Sequence, residues 1–227
     1  MEQTRGIPIV LLSIILLLSC NSKPKNQQER QPEEEAAPTR DTSQRKRILF
    51  FGNSLTAGYG LENPDEAFPS LIQQKIDALD LPYSCVNAGL SGETSAGGKD
   101  RIDWILREPV DIFVLELGAN DGLRGIEPET TRANLKEIVQ KVKAAYPDAD
   151  LVLAGMMVPP SMGQQYFDQF AAIFPQLAQE MDMVLVPFLL DKVAGVEDLN
   201  QSDGVHPTKQ GQIIMAETIW EHLEPLL

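Results

Sequence analysis

Ile48-Leu49-Phe50-Phe51-Gly52-Asn53-Ser54-Leu55-Thr56 is the stretch on which the fold turns. Four consecutive large apolar residues read as a strand buried on both faces, because a strand with one wet face would alternate. Gly52 permits a tight turn directly behind the strand. Ser54 then stands where that turn passes into a helix, with free N–H groups and the positive end of the helix dipole beside its hydroxyl. A serine hydroxyl is a weak nucleophile until a base and an oxyanion site surround it. Taken alone, Ser54 reads more readily as a plain helix N-cap.

Outward from this stretch, apolar runs and helical periodicities alternate. The pattern predicts strands at Lys46 to Phe51, Tyr83 to Asn87, Val110 to Leu117, Leu151 to Met157 and Val184 to Val186. Between them it predicts helices at Ala67 to Leu79, with Phe68, Leu71, Ile72, Ile76 and Leu79 on one face, and at Asp100 to Arg107, with Ile102, Ile105 and Leu106 inward. A third begins at Pro128 with the stripe Leu135, Ile138, Val139 and Val142. A fourth covers Tyr166 to Met181, with Phe167, Phe170, Ile173, Phe174 and Leu177 inward. A closing helix covers Thr208 to Leu223. Strands alternating with helices imply an α/β domain with a parallel sheet covered on both faces. Ligands of such open sheets bind outside the carboxyl ends of the strands. The polar signatures fall there: Ser54 after the first strand, Gly89 to Ser95 after the second, and Gly118 to Asp121 after the third.

The chain divides into three parts. Residues 1–20 read as a secretory signal, with an apolar core from Ile7 to Leu18 that is too short for a comfortable membrane span. Cys20 behind a small residue resembles a bacterial lipobox, in which the cysteine is lipidated and becomes the mature N-terminus; an ordinary signal with an incidental cysteine is the alternative. Residues 21–45 are polar and charged and predict a disordered tether. Residues 46–227 are of single-domain size. With 6 Lys+Arg and 6 Asp+Glu before residue 46, the whole net charge of −14 falls on this domain. So acidic a domain is a poor nucleic-acid binder. Cys85, in an apolar strand, is expected to pack as a small unpaired hydrophobe. No Cys or His cluster has metal-ligand spacing.

The candidates for chemistry are few. Of two histidines, His222 sits beside Glu221 and Glu224 in the last helix and reads as solvated. His206 sits in the loop Asp203-Gly204-Val205-His206-Pro207. Asp203, three residues upstream, can reach Nδ1 and leave Nε2 to face a serine; a simple turn before a helix is the bland reading. An oxyanion needs fixed donors where charge develops. The Ser54 N–H, the Gly92 N–H and the Asn120 amide offer one from each rim loop.

Four blocks together carry a resemblance. They are Phe51 to Gly60, Asn87 to Ser95, Glu116 to Gly125, and Asp203 to Pro207. In that order they are similar to the SGNH (GDSL-type) hydrolases, over essentially the whole domain. The resemblance implies a three-layer, flavodoxin-like α/β/α sandwich with a five-stranded parallel sheet. It implies Ser54 as nucleophile, His206 as base, Asp203 as orienting acid, and Ser54, Gly92 and Asn120 as oxyanion donors. It also implies an acyl-enzyme path without metal or cofactor, acting on aryl or acyl esters, thioesters or lysophospholipids. The chain departs from the family at Asn53, where Asp is usual. That side chain is expected to brace the turn.

The expected location is a bacterial envelope, lipid-anchored with an outer-membrane destination. The expected partners are a small ester, thioester or lysolipid substrate, with the anchor as the only membrane contact and a monomeric chain. The apolar loop Pro159 to Tyr166, with Met156, Met157, Val158, Pro160 and Met162, either covers an acyl chain or merely finishes the core. The alternatives are a carbohydrate O-deacetylase, a non-catalytic envelope lipoprotein, and a flavodoxin-like binding or receiver domain. Against the last, no phosphate-cradling loop or paired-acid cluster follows the first strand of this chain.

Overall fold

A computed structural model describes residues 45–227. The expected signal segment, the lipidated Cys20 and nearly all of the tether lie outside the described residues. At the tether's end, Arg45 already bonds Asp77 (2.8 Å) and the Tyr83 carbonyl (3.2 Å).

The described chain runs β1 (Lys46–Gly52), α1 (Ser54–Ala57), α2 (Phe68–Ala78), β2 (Tyr83–Gly89), α3 (Ser95–Ile105), β3 (Ile112–Glu116), α4 (Ala119–Leu123), α5 (Pro128–Ala145), β4 (Asp150–Ala154), α6 (Gln164–Met181), β5 (Val184–Val186) and α7 (Lys209–Leu223). The five strands form one parallel sheet in the order β2-β1-β3-β4-β5. Helices α2 and α7 pack together, as do α3, α5 and α6, which gives the three-layer sandwich with helices on both faces.

The apolar strands explain the layers. Ile48 to Phe51 and Ile112 to Leu115 are essentially inaccessible, as strands covered on both faces must be. Alternation along β1 assigns the faces. Phe50 meets Phe68 of α2 edge-on at 5.6 Å, while Phe51 tilts against Phe113 at 5.9 Å on the other side. Burial of each such ring stabilises the fold by roughly 1.5–3 kcal/mol. The helix stripes behave likewise: Leu135, Ile138, Val139 and Val142 on α5, and Phe170, Ile173, Phe174 and Leu177 on α6, are all buried, with Phe167 half-buried.

Several expectations need correction. Leu79 is 56% exposed rather than inward. Helix α2 ends at Ala78, and Asp80 takes a left-handed φ of 55°, which turns the chain away from the core. Helix α3 starts at Ser95, not Asp100, because Thr94 caps it through the Gly97 N–H. Of the two glycines that argue against a helix there, Gly98 is needed for close contact. A Cβ on Gly98 would lie 2.4 Å from Leu117 Cδ1. Helix α4 occupies what reads as a loop, and β4 stops at Ala154, three residues early. His222 is half-buried and bonds the Thr218 carbonyl through Nδ1 at 3.1 Å. Cys85 is free and partly buried in β2, its thiol pushed up to about 12, first by burial and then by Asp77.

Candidate active site

The sheet order reverses between β1 and β3, and the crevice of an open α/β sheet opens at that switch point, beyond the carboxyl ends of the strands. Ser54 follows β1 there and Asn120 follows β3. Ser54 opens α1, so its N–H has no partner within the helix. Its hydroxyl is nearly enclosed, with 8% of the residue exposed.

Three sequence-distant side chains meet at this point. His206 Nε2 lies 3.0 Å from Ser54 Oγ, and His206 Nδ1 lies 2.6 Å from Asp203 Oδ2. An ionised carboxylate can only accept, so Nδ1 carries the proton and Nε2 offers its lone pair to the serine. Asp203 is rigid for an exposed group. Its Oδ1 accepts from the backbone N–H of Val205 (2.9 Å) and of His206 (3.0 Å). These bonds lower its carboxyl to about 2, the His206 N–H first and the His206 ring second. The Tyr59 ring lies against the imidazole, 4.6 Å between centroids at 45°. No residue pattern marks Tyr59 individually for this place.

The second and third rim loops are stapled to each other. Asn120 Nδ2 donates to the Glu93 carbonyl at 2.9 Å. Its second amide hydrogen stays available to a substrate. Asp121, wholly buried, accepts from the Ser95 N–H at 2.8 Å and from the Ser95 hydroxyl, which also accepts from Asn134 Nδ2. Gly92 has φ 80°, a left-handed conformation that an L side chain resists. Arg124 Nη2 holds the Gly92 carbonyl at 3.0 Å. Below, Arg101 grips the buried Glu93 through Nε and Nη2, each at 2.6 Å, and its guanidinium covers the Phe51 ring at 4.2 Å. Arg101 and Glu93 carried no signal in the sequence beyond a charged pair eight residues apart.

Ser54, Asn120 and His206 also line a cavity of about 620 Å³, a size that holds a small ligand. Its other walls are mostly apolar and include Met156, Met157, Val158, Pro160, Phe167 and Leu190. Of the two readings of the loop after β4, the one that faces a ligand fits its first half. Met162 is not part of this wall and is 36% exposed.

A parallel α/β/α sandwich with a serine, an imidazole and a carboxylate in line at its switch point has the architecture of a serine hydrolase. The matching family model is the GDSL-like lipase/acylhydrolase family, over residues 50–213, and the chain belongs to that family. It is 37% identical to Esterase TesA of Pseudomonas aeruginosa over 181 residues, 79% of this chain and 89% of that protein. It is 38% identical to Thioesterase 1/protease 1/lysophospholipase L1 of Escherichia coli K12 over 181 residues, 79% and 84% of the two chains. Among solved structures it resembles the psychrotrophic esterase EstA from a Pseudoalteromonas species, inhibited by monoethylphosphonate, with TM-score 0.75, 34% identity and coverage of 80% and 98%.

Proposed function

We propose that this protein is a serine esterase that hydrolyses acyl esters or thioesters through an acyl-enzyme on Ser54. The observation that carries the reading is the continuous chain from Ser54 Oγ to His206 Nε2 (3.0 Å) and from Nδ1 to Asp203 (2.6 Å). His206 takes the Ser54 proton as the oxygen attacks the substrate carbonyl. The negative charge that develops on the carbonyl oxygen of the tetrahedral intermediate is met by the Ser54 N–H, the Gly92 N–H and the Asn120 amide. The C–O or C–S bond breaks, and His206 gives its proton to the departing alcohol or thiol. Water then attacks the acyl-enzyme, losing a proton to His206, which returns it to Ser54 as the acid leaves.

The apolar cavity favours an acyl chain longer than acetyl, which separates this reading from the carbohydrate O-deacetylase. The names of the two curated relatives support esters, thioesters and lysophospholipids as substrate classes. Each contact in the triad is already at hydrogen-bond distance, which argues against a non-catalytic scaffold. The test is labelling with a fluorophosphonate probe, followed by a panel of p-nitrophenyl esters from acetate to dodecanoate and an acetylated xylan. Labelling lost in Ser54→Ala, with a rate optimum beyond acetate, is expected. A Ser54→Ala protein that still turns over at the normal rate excludes the scheme, and an acetate optimum with xylan activity transfers the protein to the deacetylases.

The chain also works, in this proposal, as a monomer anchored to the envelope by lipid on Cys20. Detergent-phase partitioning of the full chain that is lost in Cys20→Ala supports the anchor; equal partitioning of both removes it.

A further inference from the structure

The acyl-enzyme scheme leaves one buried acid beneath the nucleophile without a task. Glu116, the last residue of β3, is wholly buried and stands opposite Gly52, two residues before Ser54. Its Oε1 accepts from Asn53 Nδ2 at 2.7 Å. Its Oε2 accepts from the Asn53 N–H (3.0 Å), the Thr56 N–H (3.3 Å) and the Thr56 hydroxyl (2.7 Å). All four donors belong to the turn that presents Ser54. On its other side, Asn53 Oδ1 accepts from the Leu55 N–H at 3.0 Å and so caps α1. One carboxylate thus grips both ends of the turn, and Gly52 leaves the room: a Cβ there would lie 2.5 Å from Glu116 Oε2.

The charge state of this grip decides its pH range. Burial pushes the Glu116 carboxyl up to about 7 against the lowering effect of its bonds to Thr56 and Asn53, and no charged neighbour contributes. The ionisable groups around the turn are Arg101, whose Nη2 lies 3.5 Å from the Gly52 carbonyl, its partner Glu93, and His206 with Asp203 over Ser54. None of their hydrogen bonds goes to Glu116, whose partners are Asn53 and Thr56. An acid at position 53 would set its oxygen at the 2.7 Å now held by the amide nitrogen. Two carboxyl groups so close cannot both ionise and must share a proton. The Asn53 amide carries the bridging hydrogen on nitrogen, where it does not titrate.

We propose that Asn53 and Glu116 are positioning residues for Ser54, a brace whose hydrogen bond needs no shared proton and therefore holds into alkaline pH. The inference rests on Ser54 as the nucleophile.

The decisive variant is Asn53→Asp, with kcat and KM for a p-nitrophenyl ester measured from mildly acidic to strongly alkaline pH. Each protein is normalised to its own neutral rate. Wild type is expected to show no alkaline fall. In Asn53→Asp, kcat falls about tenfold per pH unit once the pair gives up its second proton, while KM stays level. A second variant guards against poor folding. Thr56→Val removes one donor to the anion, and the acid-side rise of kcat is expected to move to higher pH. A readout free of turnover compares thermal unfolding of Ser54→Ala with that of Asn53→Asp/Ser54→Ala. Only the double variant is expected to lose stability in alkali. Wild type and Asn53→Asp with superimposed profiles in both measurements overturn the proposal, as does a Thr56→Val profile that does not move. If Ser54→Ala kept full activity, the nucleophile assignment would fall, while the unfolding comparison would still judge the brace.

Discussion

Replacing Gly52 by alanine tests the turn most directly. The added methyl carbon would stand 2.1 Å from Thr56 Oγ1, 2.5 Å from Glu116 Oε2 and 2.8 Å from the Glu116 carbonyl oxygen. None of these is the free end of a flexible chain. Thr56 must rotate away and give up its 2.7 Å bond to Glu116, or β1 must move from β3 along a fully paired register. Overpacking of this kind costs about 1–3 kcal/mol. A hydrogen bond lost from a buried carboxylate costs about 1.5–3 kcal/mol more. The expected destabilisation is about 3–5 kcal/mol, and for a domain of this size each kcal/mol lowers Tm by roughly 2–4 °C. Ser54 lies two residues on, and a shift near 1 Å costs on the order of 10²-fold in turnover. Urea unfolding and thermal scans measure the first effect, and p-nitrophenyl butyrate kinetics the second. Gly92→Ala is the comparison. Nothing lies within 4 Å of its added Cβ, and only its φ of 80° resists, so it should lose about 1–2 kcal/mol. A Gly52→Ala protein as stable as wild type, with kcat within about twofold of it, would refute the packing argument.

Asp203→Asn should lower kcat by about 10⁴ through the wrong imidazole tautomer, and a loss below tenfold would remove Asp203 from the scheme. Because the Asp203 carboxyl is held near 2, against 3.8 ordinarily, the stability it contributes is present above pH 3.8 and is lost as pH falls towards 2. Wild type and Asp203→Asn unfolding curves should therefore converge in strong acid and separate above that window. Asn120→Ala should cost roughly 10²–10³ in kcat with KM spared; steady-state kinetics showing the reverse split would make Asn120 a binding residue. Glu116 works with the opposite sign. Below pH 4.5 the folded and unfolded chains both keep its proton, and between 4.5 and about 7 only the unfolded chain releases it. Stability should fall by about 3 kcal/mol across that window and then level off. A Glu116→Gln protein with the same slope in urea titrations would place its origin elsewhere.

The fold was legible because burial leaves a periodic trace. Ile48 to Phe51 cannot be a half-wet strand, and the α5 and α6 stripes repeat at helical spacing. Topology sends the ends of β1, β2 and β3 to one rim, so Ser54, Gly92 and Asn120 could be grouped without coordinates, while His206 joined them through its spacing from Asp203 and the family resemblance. What the pattern hid has physical reasons. Gly97 and Gly98 suppress the helical signal of α3 at the point where Gly98 packs closely on Leu117 and Phe51. Leu79 belongs to the apolar face by spacing, and only the left-handed turn at Asp80 expels it. Glu116 closes an apolar strand, where an acid usually marks the return to solvent. Its four donors come from residues some sixty positions earlier, so no local pattern announces that it is buried.

Much of the cavity wall comes from segments that carry none of the reactive groups. Ser54, Gly92 and Asn120 are tied to β1, β2 and β3 by Glu116, Arg101 and Asp121, and Leu55, Ala119 and Leu123 beside them face the cavity, but the rest of the apolar wall is drawn largely from residues 156–160 after β4, Phe167 of α6 and residues 188–195 after β5. Selection or a protein engineer can therefore widen, shorten or polarise the acyl compartment at Met157 or Leu190 while the bond-breaking step keeps its rate. Diversification of diet without retooling of the reaction is a property this architecture hands to its descendants.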